Sequence, residues 1–200
     1  MSASYRRREN LLWPVRIYQL VEGGICVNAQ AQTISVKTLC LTAILAAFVF
    51  LMTFVPKIPI PLGYAHLGDA VIYLLVLFIG RREACLAAAV GSALADLMGG
   101  FPVWIIPTLF IKWIMVEIVF WIIRPDQVTC TVLSVRTFLA FFLSSAWMVM
   151  AYTVAGAVLY SSIASALPMI PGLIGEGAIN MVAAFAAGMA LRHLPNSRAV

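Results

Sequence analysis

Long apolar runs follow one another along this chain with little between them. Lys37 to Val55 is the first. Wound as a helix it would extend about 28 Å, close to the thickness of bilayer hydrocarbon. The others are Gly68–Gly80, Ala84–Met98, Val103–Ile123, Ser134–Tyr160 and Ile170–Leu191. Of the 200 residues, 63% are hydrophobic and 10% charged, whereas soluble domains average about 45–50% apolar and about 25% charged. No water-soluble fold of this size can bury so much apolar surface. The predicted fold class is therefore an all-α integral membrane protein, with six transmembrane helices in one compact bundle.

The breaks between runs are turn signals. Pro56, Pro59 and Pro61 keep the Pro56–Leu67 connection from being helical throughout. Arg81-Arg82-Glu83 separates the second run from the third, Gly99-Gly100 ends the third, and Arg124-Pro125-Asp126 follows the fourth. The second and third runs are short, so a re-entrant hairpin competes with two spans. It would carry three charged residues to membrane depth at a cost of several kcal/mol, and two short spans with the charged turn in water are preferred. The expected organisation is an N-terminal extension over 1–36, interfacial or disordered, a membrane domain over 37–192, and a tail over 193–200. The start of the chain has no uninterrupted apolar core of the kind a cleavable signal needs, because Pro14, Arg16 and Gln19 break the stretch after Arg6-Arg7-Arg8.

Basic residues orient the bundle. With the N-terminus inside, the inner side holds Arg6, Arg7, Arg8, Arg16, Lys37, Arg81, Arg82, Arg124, Arg136, Arg192 and Arg198, leaving Lys57 outside and Lys112 within a helix. That asymmetry follows the positive-inside rule and predicts both termini in the cytoplasm. It also accounts for the net charge of +5 without nucleic acid, for which no aromatic-interleaved basic patch exists. Cys26, Cys40, Cys85 and Cys130 show no metal or disulfide spacing.

Ionisable residues are costly at membrane depth and mark sites. Asp69, Asp96, Lys112, Glu176 and Asn180 fall in the outer half of the expected bundle, and the outer connections add Tyr64, His66 and Trp104. Glu117 lies deeper, towards the inside. On the sixth run Gly172, Glu176, Asn180, Ala184 and Gly188 recur every four residues, and on the third Ala84, Ala88, Ser92 and Asp96 do the same. Such small-and-polar stripes face protein. Each residue also has a plainer reading. Asp96 and Lys112 can form a structural ion pair, His66 can be a loop residue, Asp69 and Glu176 can answer helix dipoles, and Tyr64 and Trp104 can be interfacial aromatics. Their convergence favours a ligand site. No phosphate loop, HExxH or GxSxG motif is present. Besides a binding and transport subunit, a membrane-embedded enzyme acting on a lipid or small molecule and a ligand-free assembly protein remain open.

The stretch Gly63-Tyr64-Ala65-His66-Leu67-Gly68-Asp69-Ala70, the stretch Gly91–Leu97 with Gly99-Gly100, and Trp104, Pro107-Thr108 and Lys112 together resemble substrate-binding S components of energy-coupling factor transporters. The resemblance is to the riboflavin-, hydroxymethylpyrimidine- and pyridoxine-type branch and covers about residues 37–192. It implies a six-helix subunit of the bacterial cell membrane that captures a small vitamin or precursor near the outer face. It implies no cofactor and no enzymatic activity of its own. The implied partners are a transmembrane coupling subunit and two ATPases, which supply ATP hydrolysis. Ala43 and Ala47 match the family's small-residue docking pair. Two departures stand out: the extension over 1–36 is long, and Glu176 occupies a position where an amide is commoner.

Overall fold

The computed structural model describes residues 35–123 and 132–191. The expected tail, nearly all of the expected extension, Cys26, Cys130 and Arg124 lie outside the described residues. Two compact units divide the chain, Met1–Leu39 and Cys40–Val200. Of the first, the structure describes the opening turn of a helix.

That helix, α1, runs Val36–Phe54. Then come β1 (Ile58–Ile60), β2 (Gly63–Ala65), α2 (Gly68–Phe78), α3 (Arg81–Met98), a 3-10 turn (Pro102–Trp104), α4 (Ile105–Ile123) and α5 (Val135–Leu159). The short α6 (Ile163–Ala166), a second 3-10 turn (Leu167–Met169) and α7 (Ile170–Leu191) complete the order. Among the described residues, four segments are long and apolar enough to cross a membrane: Val36–Phe54, Pro102–Ile123, Val135–Leu159 and Ile163–Leu191. Their outer faces are apolar; Phe110, Trp121, Val154 and Val182 are each more than half exposed, as expected where lipid is the solvent.

The two short runs behave differently. The residues of α2 are almost all buried, so its all-round apolar composition marks a helix enclosed by protein. The break before α3 corrects the expected one: Arg81, Arg82 and Glu83 form the first turn of α3 and the interruption is at Ile79-Gly80. The helix can begin there because Gly80 supplies an extended residue at its N-cap and Glu83 answers the positive end of the dipole. Ala84, Ala87, Ala88, Ala95 and Gly91 make α3 thin on its inner side. A Cβ at Gly91 would sit 2.5 Å from the Ala46 carbonyl oxygen of α1, so the missing side chain sets how closely these helices pack.

The proline-rich connection is an antiparallel two-stranded hairpin that pairs Ile58 with Ala65, Pro59 with Tyr64 and Ile60 with Gly63. Pro59 is tolerated because each strand is an edge. Ile60 packs over Gly172, where a Cβ would lie 2.7 Å from its side chain. The hairpin is thereby seated on the start of α7.

Candidate functional site

The hairpin, the end of α3, the Pro102–Trp104 turn and the start of α7 meet around one cavity of about 40 Å3. Local sequence explains the walls. α3 ends in a Schellman turn: Phe101 N–H donates to the Asp96 carbonyl at 2.9 Å, and Gly100 takes φ +85°, which suits glycine. The turn carries Phe101 and, after Pro102, Trp104 to the cavity. In the hairpin turn Leu62 holds φ 61°, a conformation that costs a non-glycine residue about 1–2 kcal/mol, and it too lines the cavity.

One polar chain crosses the wall. The Tyr64 hydroxyl donates to Asp96 Oδ1 at 2.9 Å and the Thr108 hydroxyl to Asp96 Oδ2 at 2.5 Å. The Tyr152 hydroxyl is 3.1 Å from that of Thr108. Burial and the Asp96 carboxylate hold the Tyr64 phenol well above its usual range. The Asp96–Lys112 ion pair, the plainer of the two readings the sequence left open, does not form. Lys112 lies one turn beyond Thr108 on α4 and bonds Asp69 Oδ1 at 2.5 Å, both side chains being about 1% exposed. Asp96 has its hydroxyl donors, and the ammonium goes to the carboxylate that opens α2.

Below the cavity a second network secures α2. A helix leaves its first N–H groups without partners, and here Leu67 offers no side-chain cap. Gly68 N–H donates instead to His66 Nδ1 at 3.1 Å, and Ala70 N–H to Asn180 Oδ1 at 2.8 Å. The Asn180 amide also donates to the carbonyls of His66 at 2.7 Å and Glu176 at 2.9 Å. Its hydrogen-bonding capacity is thus spent on backbone. His66 Nδ1 lies 3.2 Å from Glu176 Oε1. Because Nδ1 accepts from Gly68, this is contact with a neutral imidazole rather than an ion pair. Burial, with the Lys112 ammonium nearby, lowers the His66 pKa to about 4, in agreement with the hydrogen bond.

Of the residues expected at the site, Tyr64, His66, Asp96, Trp104 and Glu176 line the cavity. Asp69, Lys112 and Asn180 sit behind it. Glu117, on α4, is remote from the cavity, paired with Arg81 at the start of α3 and accepting from the Cys85 thiol at 3.6 Å. Ala43 and Ala47 are exposed on α1, away from Ala46, Val49 and Thr53, which are buried. Sequence reasoning left Phe101, Tyr152, Met169 and Leu173 out. Tyr152 carried a signal, a phenol within an apolar run; the others read as ordinary apolar residues. His66, Asp69 and Glu176 bring ligand-type atoms within 4.8 Å of one another. Lys112 engages Asp69 Oδ1 and the Gly68 N–H engages His66 Nδ1, while Asp69 Oδ2 has no hydrogen-bond partner.

Over residues 33–193 the sequence matches the family described as ECF-type riboflavin transporter, S component. The chain belongs to that family. It is similar to the structure described as the S component of a bacterial ECF transporter, with a TM-score of 0.63 at 16% identity, covering 78% of this chain and 95% of that one. At this identity the likeness speaks for the fold. A Pyrococcus woesei relative, described as an uncharacterized protein in gap 3'region, is 42% identical over 71 residues, 34% of this chain. The match spans about half of that relative's length, 47%. The family assignment agrees with the resemblance carried by the Tyr64–Asp69 and Gly91–Gly100 motifs.

Proposed function

We propose that this S component captures a small vitamin or vitamin precursor, a pyridoxine-, hydroxymethylpyrimidine- or riboflavin-like heterocycle, for ATP-driven uptake. The observation that carries the reading is the cavity beneath the hairpin, where Trp104, Tyr64 and Tyr152 offer aromatic faces and Asp96, His66 and Glu176 offer polar atoms. Planar rings stack on such faces, and buried polar groups that a wrong ligand leaves unpaired give discrimination. Arg81 and Asp96 stand 15 residues apart on α3, about 22 Å along the axis. With the basic end inside, the cavity faces out. α2 and α3 then complete a six-span bundle with both termini cytoplasmic.

The same reading gives the chain a transmembrane coupling subunit and two ATPases as partners, with α1 docking through Ala43 and Ala47. Small exposed residues let a partner helix approach closely. Reconstituted vesicles test it: substrate should accumulate when the coupling subunit, both ATPases and ATP are supplied. Concentrative uptake by this chain alone, without ATP, would overturn the proposal.

A further inference from the structure

Three carboxyl groups and one ammonium are buried along and behind the cavity wall: Asp69, Asp96 and Glu176 with Lys112, none more than 9% exposed. A buried carboxyl stays ionised where a cation or charge-favouring donors hold it, and otherwise takes up a proton. Asp69 has the Lys112 ammonium on Oδ1. Asp96 accepts from the hydroxyls of Tyr64 and Thr108. Tyr152, on α5, is engaged with Thr108, and Lys57 lies over the rings of Phe54 and Tyr64. Glu176 accepts from the His66 backbone N–H. Its Oε1 faces His66 Nδ1 at 3.2 Å. That ring nitrogen presents a lone pair, because it accepts from Gly68 N–H at 3.1 Å. Two acceptors at this distance repel each other unless a proton lies between them. The imidazole does not supply one, since burial lowers its pKa to about 4. The proton is therefore on the carboxyl.

We infer that Glu176 is a proton-binding site in the cavity wall: near neutral pH its carboxyl holds a proton and donates it to His66 Nδ1. The proton ties the start of α7 to the connection that opens α2. Losing it sets a bare carboxylate against the His66 lone pair. The same carboxylate then meets Asp69, since an oxygen of each lies within 4.8 Å of the other and Asp69 Oδ2 has no donor of its own. Both contacts push α7 away from α2. Gly172, the seat of Ile60 and so of the hairpin, is one turn before Glu176 on α7. The site thus acts as a latch: a rise in pH that strips the proton also loosens the hairpin that walls the cavity.

Infrared spectroscopy of the purified full chain in nanodiscs reads the proton without any ligand. Near neutral pH the wild type should show the carbonyl stretch of a protonated carboxyl, shifted in heavy water. Carbon-13 labelling of glutamate should move the band and labelling of aspartate should not. Glu176→Gln should remove it and Asp96→Asn should keep it. Stability is the second readout. An unfolded glutamate ionises at about 4.3, so near neutral pH the folded state binds the extra proton and stability falls as pH rises. From about pH 7 to about pH 8, where His66 is largely neutral in both states, the wild-type unfolding midpoint should drop by about 2–4 °C. That of Glu176→Gln, whose amide can donate to Nδ1 in the same way, should hold steady. Should Glu176→Gln fail to fold, the labelled wild type decides alone. Absence of the band, a band that labelled aspartate moves and labelled glutamate does not, or parallel midpoint profiles in the two proteins would overturn the inference. None of these outcomes touches the transport reading, since no ligand is present.

Discussion

At the scale of single residues, the membrane domain concentrates its risk in a few buried polar groups. Lys112 and Asp69 are both fully buried, so removing one partner strands the other charge. Lys112→Met should destabilise the protein by about 3–5 kcal/mol, whereas Lys112→Met with Asp69→Leu should recover much of the loss. Thermal unfolding in detergent reads both; equal losses would show that the pair is not coupled. His66 gives a pH signature. Its folded pKa, about 4, lies below the unfolded value of about 6.5, so between these values the unfolded state binds more protons. Stability from this group is therefore full above pH 6.5 and falls on acidification towards pH 4. His66→Gln should flatten that part of the profile, and an unchanged slope would contradict the neutral imidazole. Sequence could say that Asp69, Lys112 and Asn180 are expensive. It could not say whom they meet, because Asn180 caps a helix 110 residues away in the chain and Lys112 prefers Asp69 to Asp96.

Elements divide into those that bury small residues and those that display them. Gly91 is closed against the α1 backbone, so Gly91→Val should force α1 and α3 apart at a cost of about 1–3 kcal/mol. Ala47 is exposed on α1. Ala47→Trp should leave the unfolding midpoint within about 2 °C, for a surface change of under ~0.5 kcal/mol, and abolish co-purification with the coupling subunit. Retained co-purification would move the docking face elsewhere. The apolar runs announced most helix limits well: Ile170–Leu191 is one helix, as read, and α5 begins where Ser134 caps it, accepting from Thr137 N–H. The hairpin was not legible. Three prolines exclude a helix but do not select a register, and that register is completed by Ile60 resting on Gly172, a contact remote in sequence.

For the whole molecule, the account predicts a polar asymmetry with the cavity outside and Arg81 inside. In a background without the native cysteines, a thiol placed at Ser162 should react with an impermeant reagent added outside, and one at Arg81 should not. The reverse pattern would invert the bundle. The inward-facing stripes on α3 and α7 were legible from their spacing of four, since that spacing repeats on one helix face; Ser92, Asp96, Glu176 and Asn180 are all buried. Which stripe residues reach the cavity was not legible, since a stripe fixes direction but not depth. The most direct test of the central claim, that the cavity beneath the hairpin holds the transported ligand, is native mass spectrometry of the full chain beside a folded Trp104→Ala, Glu176→Ala variant. The wild type should release one small heterocycle per chain on denaturation and the variant none. The same heterocycle at equal occupancy in the variant would contradict the account.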